Sequence, residues 1–246
     1  MLSYGDQADR PRVGAPAAPL VSAYLSVQPH PPIEAVPKGR IIVQEDDFAD
    51  HAILLLDGWV AFSKMLPDGE TQIIDVMLPG DFALIGAETA PVAACTVEAL
   101  SDARFINIRP PHANGPAPEL AGLRGLMAAE IVRSQARISE LLLRLGQGSA
   151  ASRVAYALLE FYIRLDAIGL VKDQCFAFPI TQQKTGEFTG LSNVHVCRTM
   201  RRFERDGLIS HPHHNDIILC DIDALCDIAG VDLRVLRNEI LSQRGQ

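Results

Sequence analysis

The residues best suited to chemistry lie in one short stretch near the carboxyl end, from Asn193 to Arg205. In a chain of 246 residues with a net charge of −8, this stretch holds a single acidic residue, Glu204, against four arginines: Arg198, Arg201, Arg202 and Arg205. Guanidinium groups donate to phosphate oxygens and to the O6 and N7 atoms of guanine. A helix with polar residues at its amino end and arginines behind them is therefore suited to the DNA major groove.

Two helices separated by a tight turn are predicted to position these side chains. Thr181 is expected to cap a first helix that runs through Phe188, and Ser192 to cap a second that runs to about Asp206. Gly190 lies where the chain must reverse, a position that glycine takes without steric cost. The spacing predicts a helix-turn-helix.

The sequence around the second helix supports this interpretation. Val196, Met200 and Phe203 recur at spacings of four and three, which indicates an inward apolar stripe. After the helix, two short apolar runs flank SHPHHND, the pattern of a strand, a turn and a strand. The order of these elements predicts a winged helix-turn-helix.

The candidate DNA contacts follow from these positions. Hydroxyl, amide and helix amino-terminal groups are expected to contact phosphates at Thr181, Gln182 and Ser192. On the second helix the candidates are Asn193, His195, Arg198, Arg201 and Arg202. For His195, a phosphate contact and a merely exposed side chain both remain open.

The residues PITQQKTGEFTGLSNVHVCRTMRRFERDGLIS, from Pro179 to Ser210, resemble the DNA-binding signature of the Crp/Fnr superfamily of bacterial transcription regulators. One departure is Thr185, where that family usually has an aliphatic residue. The resemblance implies a cytoplasmic regulator that is not an enzyme. Its implied partners are double-stranded DNA, a second copy of the chain and, if it activates transcription, RNA polymerase. It also implies that Arg198 bonds guanine.

The part of the chain before the predicted helix-turn-helix has a different composition and residue pattern. Residues 1–28 are rich in proline and alanine and are predicted to form a mobile arm. From about Gly39 to Ile108, short β-branched runs alternate with turns, which indicates an antiparallel double-sheet jelly roll. The predicted class is α+β, with a roll over 29–115, a dimerisation helix over 116–146 and a winged helix-turn-helix over 147–246.

The roll is in register with the cyclic-nucleotide-binding module of the family, but it lacks the ligand's main contacts. Where that family places a ribose-binding carboxylate and a phosphate-binding arginine, this chain has Ala87 and Ala93. Glu88 lies one residue late, which on a strand would turn its side chain to the opposite face. Cyclic AMP is therefore not expected to bind through these contacts. A different small ligand and a purely structural roll both remain open.

The segment before the hinge GQGSA has helical periodicity. Apolar and small residues recur at spacings of three and four over about seven turns, as in a coiled-coil seam. The resemblance implies that this helix joins two subunits, through Leu120, Leu123, Met127, Ile131, Ser134, Ile138, Leu141 and Leu145. Packing of the same stripe on the chain's own roll is the alternative.

Other chemistries find little support. The first of five cysteines is Cys95, so an amino-terminal iron–sulfur site is not expected, and the roll lacks the His-x-His pair of a cupin enzyme. No metal, haem or other cofactor is predicted, and no apolar run is long enough to cross a membrane. Cys197, beside Arg198, is a candidate redox site. The alternative function is a ligand-sensing or protein-interaction module that no longer binds DNA.

Overall fold

The computed structural model describes residues 18–87, 89–108, 118–213 and 215–241, and the α+β class is confirmed. The amino-terminal body contains α1 (Pro19–Val27), β1 (Glu34–Val36), β2 (Ile41–Val43), β3 (Ala52–Asp57), β4 (Val60–Met65), β5 (Thr71–Met77), β6 (Phe82–Leu84), β7 (Thr96–Ala99) and β8 (Ala103–Ile108). The remainder contains α2 (Pro118–Gln147), α3 (Ala150–Ala167), β9 (Cys175–Ala177), α4 (Gln182–Thr189), α5 (Asn193–Arg205), β10 (Ile209–Ser210), β11 (Asp216–Leu219), α6 (Ile222–Ala229) and α7 (Leu233–Ile240).

Strands β1–β8 form two four-stranded antiparallel sheets, in the orders β1-β8-β3-β6 and β2-β7-β4-β5. The apolar run AILLLD of β3 is buried on both faces. Ile53 and Leu55 point into the core between the sheets, while Ala52 and Leu54 point into a second core beneath α1 and α2. Because both faces are covered, β3 is continuously apolar instead of alternating.

The turn from β3 to β4 requires glycine. Gly58 has a φ of 87°, and a Cβ atom there would lie 2.3 Å from the backbone oxygen of Asp102. The turn therefore sits directly against the turn that leads into β8, which closes this end of the roll.

The prediction of a mobile arm over 1–28 is wrong for its last part. Pro19–Val27 form α1, and Leu20 is buried in the core that also contains Leu123 and Met127 of α2. This helix covers apolar surface that the roll and α2 would otherwise expose, which offsets the cost of ordering it. Residues 1–17 lie outside the described part of the chain.

A short break after Gln147 separates the two longest helices. Ser149 caps α3 by accepting a hydrogen bond from the backbone N–H of Ser152 at 3.2 Å. One stripe of α3 is buried in the core of the carboxyl-terminal body: Val154, Leu158, Phe161 and Leu165. None of the described helices combines the length and the apolarity needed to span a membrane.

Candidate nucleic-acid interface

The two helices of the carboxyl-terminal body begin and end where their capping residues predict. The Thr181 hydroxyl accepts from the backbone N–H of Lys184 at 3.2 Å, and the Ser192 hydroxyl from that of His195 at 3.4 Å. Between the helices, Gly190 adopts a left-handed conformation with a φ of 62°. The predicted helix-turn-helix is confirmed, and β10 and β11 form the predicted antiparallel wing.

Thr185, the departure from the family pattern, is accommodated by a local hydrogen bond. The side chain is buried, and its hydroxyl donates to the carbonyl oxygen of Thr181 at 3.0 Å. Thr189 repeats the arrangement one turn later by donating to the carbonyl of Thr185 at 2.7 Å. Because both hydroxyls are satisfied, α4 can bury polar residues where an aliphatic side chain is usual.

The helix α5 has two distinct faces. Its buried face consists of Val196, Thr199, Met200 and Phe203. The opposite face is exposed and contains the candidate DNA contacts Asn193, His195, Arg198, Arg201 and Arg202. The inward stripe thus fixes the rotation of the helix, so that the polar residues face solvent together.

The arginines of α5 differ in their existing partners. Arg202 and Arg205 both pair with Asp206, at 3.3 and 3.6 Å. Within the described residues, Arg198 and Arg201 have no ion-pair or hydrogen-bond partner. Two guanidinium groups are therefore free to bind an external acceptor without first breaking an internal pair.

The remaining candidates are also accessible. Thr181, Gln182 and Ser192 are exposed, and the Ser192 hydroxyl lies 3.0 Å from Nδ1 of His195. Cys197 is half-buried beside Arg198. The helix-turn-helix thus brings every predicted DNA contact to solvent within one pair of helices.

A groove of about 720 Å³ runs beside α5, between the amino end of α4 and the wing. Its lining includes Gln182, Arg201, His213 and, from the roll, Lys38. Glu204 lies in the same groove, 2.6 Å from Nδ1 of His211. His214 of the predicted wing tip lies outside the described residues, and no group of metal-binding side chains occurs among those that are described.

The carboxyl-terminal body is joined to the roll through a cluster of buried charges. Asp75 of β5 accepts from Arg137 of α2, with its Oδ2 atom 2.9 Å from Nη2, and from the Ser134 hydroxyl at 2.8 Å. Arg164 of α3 reaches the carboxylate of Asp81 and the carbonyl oxygen of Val76. The cluster connects the roll, α2 and α3 in one network.

The charges in this cluster determine one another's protonation. Burial acts to raise the pKa of Asp75, but Arg137 and Arg164 outweigh it and hold that pKa below its ordinary value. Burial raises the pKa of Glu160, although Arg164 lies 2.9 Å away and opposes the shift. Asp75 is thus the carboxylate that pairs with Arg137, whereas Arg164 also pairs with Asp81 and Glu160.

Further contacts join the roll to the helix-turn-helix itself. Lys184 of α4 pairs with Glu98 of β7 at 2.8 Å, and the Gln72 amide donates to the carbonyl of Phe188 at 3.1 Å. Lys38, in the turn between β1 and β2, donates to the carbonyl of Pro179 at 3.0 Å. These bonds fix the orientation of α4 relative to the roll.

Comparison with known proteins agrees with this arrangement. Residues 33–113 match the model of a cyclic nucleotide-binding domain, and residues 152–228 match that of a Crp-like helix-turn-helix domain. The nitrogen fixation regulation protein FixK of Azorhizobium caulinodans is 31% identical over 188 residues, which cover 75% of this chain and 73% of that protein. The chain belongs to the Crp/Fnr family.

Other Crp/Fnr proteins show the same relationship. The transcriptional activatory protein AadR of Rhodopseudomonas palustris is 30% identical over 178 residues, covering 68% of this chain and 69% of AadR. The solved structure of FixK2 from Bradyrhizobium japonicum matches with a TM-score of 0.69 and 26% identity, over 81% of this chain and 97% of FixK2. The Crp/Fnr family consists of transcription regulators, which are not enzymes; its members bind DNA and are typically dimeric.

Three backbone N–H groups near the phosphate position expected in a Crp/Fnr roll have partners within this chain. Ala93 is buried, and its backbone N–H donates to the carbonyl of Asp47 at 2.9 Å. The backbone N–H groups of Ala87 and Ala90 donate to each other's carbonyl oxygens. A bound phosphate would need a cation and free N–H groups here, and these three N–H groups are already engaged. Glu88 lies outside the described residues.

The seam predicted for a Crp/Fnr dimer largely faces the chain's own body, which corrects the sequence-based assignment. Leu123 and Met127 are buried against the roll and α1, and Leu141 is buried in the core shared with α3. Ser134 bonds Asp75, and Leu145 packs partly against that shared core. The most apolar part of this stripe, Leu123, Met127 and Leu141, is therefore packed inside the protomer, while Ser134 and Leu145 are half-buried.

Of the other predicted contacts, Ile131 is 46% exposed and Ile138 is half-buried, while the side chain of Leu120 lies outside the described part of the chain. A different stripe of α2 is exposed along its length: Ala121, Gly125, Ala128, Val132, Gln135, Ser139 and Leu142. Its spacings alternate between four and three residues, which is a heptad pattern built mostly from small side chains. Small residues allow a second helix to approach closely.

Sequence reasoning missed both this stripe and the residues that hold the roll to the helix-turn-helix. The stripe had a signal in its heptad spacing, but its small residues are less conspicuous than the leucines beside them. Glu160 and Arg164 had only an i,i+4 spacing, which is typical of an exposed pair. Their burial depends on contacts with β5, distant in sequence, which no local pattern reveals.

Proposed function

We propose that this chain regulates transcription by binding a palindromic DNA site as a homodimer, with one α5 helix in the major groove of each half-site. The observation that carries this proposal is the exposed face of α5, on which Arg198 and Arg201 have no partner among the residues that the structure describes. A guanidinium in this position bonds guanine O6 and N7 in a bidentate manner. We assign that base contact to Arg198.

The other contacts divide between bases and backbone. Asn193 and His195, in the first turn of α5, lie where side chains of a recognition helix reach base edges or the nearest phosphates. Arg201 and Arg202, further along the helix, are assigned to phosphates. Thr181, Gln182 and Ser192 are assigned to phosphates as well, through the amino ends of α4 and α5.

The proposed dimer forms through the exposed stripe of α2 that contains Ala128 and Val132, with Ile131 and Ile138 beside it. A two-fold axis along this helix pair would place the two α5 helices about one DNA turn apart, roughly 34 Å. The bound site is then an inverted repeat whose half-sites share one face of the duplex.

Cyclic AMP does not gate this activity in our proposal. Ala87 and Ala93 leave neither a carboxylate for the ribose nor a cation for the phosphate at these two positions. AadR is named as a transcriptional activatory protein. We extend that role to this chain, with RNA polymerase as a further partner at the promoters it activates.

Selection from a pool of random duplexes tests the proposal. The purified protein should enrich an inverted repeat, and replacing Arg198 by alanine should reduce discrimination at one base of each half-site by about 1–3 kcal/mol. Arg104→Ala on the roll, where the arginine pairs with the exposed Asp57, is the matched control and should leave the selected sequence unchanged. A monomeric protein that enriches no sequence would support the alternative, a module that no longer binds DNA.

A further inference from the structure

The turn between β1 and β2 carries a cation from the roll to the edge of the helix-turn-helix. Its backbone is held firmly, because the N–H of Lys38 donates to the Asp102 carboxylate at 2.9 Å and the N–H of Gly39 to the carbonyl of Ala99 at 2.7 Å. The Lys38 ammonium then reaches the carbonyl of Pro179, two residues before the cap of α4. The position of this charge is therefore set by the fold.

Lys38 lies in the groove beside α5 and faces an excess of positive charge there. Arg201 lines the same groove, and its lining carboxylate, Glu204, is already bonded to His211. Within the described residues, no carboxylate lies within ion-pair distance of the Lys38 ammonium. A carbonyl oxygen satisfies one of its three donors. The other two are available to an anion that enters the groove.

The roll and the helix-turn-helix present this groove as one surface. Lys184 pairs with Glu98 beside the turn, and Arg164 joins Asp81 deeper in the interface. Because these contacts hold both bodies in register, a duplex seated on α5 would meet the roll at a fixed place. Gln182, a candidate phosphate contact, lines the groove together with Lys38.

We propose that the roll takes a direct part in DNA binding, with Lys38 contacting a backbone phosphate beside the half-site that α5 occupies. The inference rests on the proposed function and extends it, since it assigns a DNA contact to the domain expected to act as a sensor. The contact is sequence-independent and adds affinity only while the helix-turn-helix stays docked on the roll.

Counterion release gives the size of the effect. Each phosphate contact contributes about 0.9 to the slope of log affinity against log salt concentration, which corresponds to about eight-fold in affinity at 0.1 M salt relative to 1 M. A dimer has two such lysines. Losing both should lower the slope by about 1.8 and weaken binding at 0.1 M salt by about 60-fold.

The test compares the wild-type dimer with Lys38→Gln, Lys38→Arg and Lys64→Gln on the selected duplex and on an unrelated one, over a range of salt concentrations. Glutamine retains a donor for the Pro179 carbonyl but has no charge, and arginine retains the charge. Lys64 pairs with Glu45 on the roll and does not line the groove, so its variant is the matched control. Lys38→Gln should lose the stated slope and affinity on both duplexes, whereas the other two variants should behave like the wild type.

A second measurement does not depend on the overall affinity of any variant. Neutral methylphosphonates are placed one at a time along the selected duplex, and the affinity of the wild type and of Lys38→Gln is measured for each. At one phosphate per half-site the substitution should weaken the wild type and leave Lys38→Gln unchanged.

Equal slopes for the wild type and Lys38→Gln, or an equal loss in Lys64→Gln, would overturn the inference while leaving the proposed function intact. So would the same methylphosphonate profile for both proteins. Failure of the wild type to bind any duplex would overturn both.

Discussion

Replacing Asp75 by asparagine would leave a buried guanidinium without its principal counter-charge. Asp75 lies between Arg137 and Arg164, and the side chains of all three are at most 6% exposed. Arg164 would keep Glu160 and Asp81. Arg137 would lose both of its hydrogen bonds to a carboxylate, and the Ser134 hydroxyl would lose a charged acceptor.

The expected loss in the free energy of unfolding follows from the Arg137 guanidinium that is left without its counter-charge. Removing one partner of a buried ion pair costs about 3–5 kcal/mol, because the other charge stays desolvated without compensation. Since Arg164 keeps two partners, we expect the lower end, about 3 kcal/mol. For a chain of this size that corresponds to a decrease of about 6–12 °C in the melting temperature.

The assay is thermal and denaturant unfolding of the wild type and of Asp75→Asn at one fixed protein concentration, so that the proposed dimerisation contributes equally to both. Asp57→Asn is the matched control. It breaks a pair with Arg104 whose side chains are 58% and 33% exposed, and should cost less than about 1 kcal/mol. A loss below about 1 kcal/mol for Asp75→Asn would refute the assignment of a buried cluster that joins roll and helices.

The pH dependence gives an independent check. The ordinary pKa of Asp75 is 3.8 and its folded pKa is lower, so its contribution to stability is fully present above pH 3.8 and is lost as the pH falls through the folded pKa. The difference in unfolding free energy between the wild type and Asp75→Asn should therefore shrink below about pH 4. A difference that stays constant down to the lowest pH at which both proteins remain folded would contradict the stated pKa shift.

Three further predictions concern the dimer, the thiol and the roll. Val132→Asp should weaken dimerisation by 100-fold or more, because each subunit would bury an unpaired charge in the proposed seam. The control Val235→Asp, at an exposed valine of α7, should stay dimeric. Analytical ultracentrifugation measures both. Peroxide should weaken DNA binding by the wild type more than by Cys197→Ser, since an oxidised thiol beside Arg198 adds a negative charge facing phosphates; equal sensitivity of the two proteins would rule out this site. Cyclic AMP at millimolar concentration should change neither the melting temperature nor the DNA affinity, and a clear increase in either would show that the roll binds it.

The part of the fold that depends on local patterns could be predicted from the sequence. The caps Thr181 and Ser192, the reversal at Gly190 and the inward stripe of α5 each act within a few residues, so their types and spacings predict the helices closely. The identity and rotation of the candidate DNA-reading helix therefore follow from local chemistry.

The sequence-based predictions that were wrong are those that depend on which surfaces of the folded chain pack against each other. The leucines of α2 predict an apolar face, but the pattern does not say whether a second subunit or the chain's own roll covers it, and the roll covers Leu123 and Met127. The helix over Pro19–Val27 could not be predicted from local pattern, because its one buried residue, Leu20, contacts residues far along the chain. The position of Lys38 beside Pro179 joins residues 141 apart in the sequence, which a local pattern cannot reveal.

The bonds that fix α4 to the roll also bear on how far apart the two half-sites can be. If each helix-turn-helix were attached flexibly to its roll, inserting one base pair at the centre of the operator would reduce affinity little, because each helix-turn-helix could move with its half-site. In this structure the contacts of Lys184 and Gln72, together with the buried cluster around Asp75, fix the helix-turn-helix to the roll. One inserted base pair rotates a half-site by about 34° and shifts it by about 3.4 Å, so the proposed dimer should bind only operators with a single spacer length.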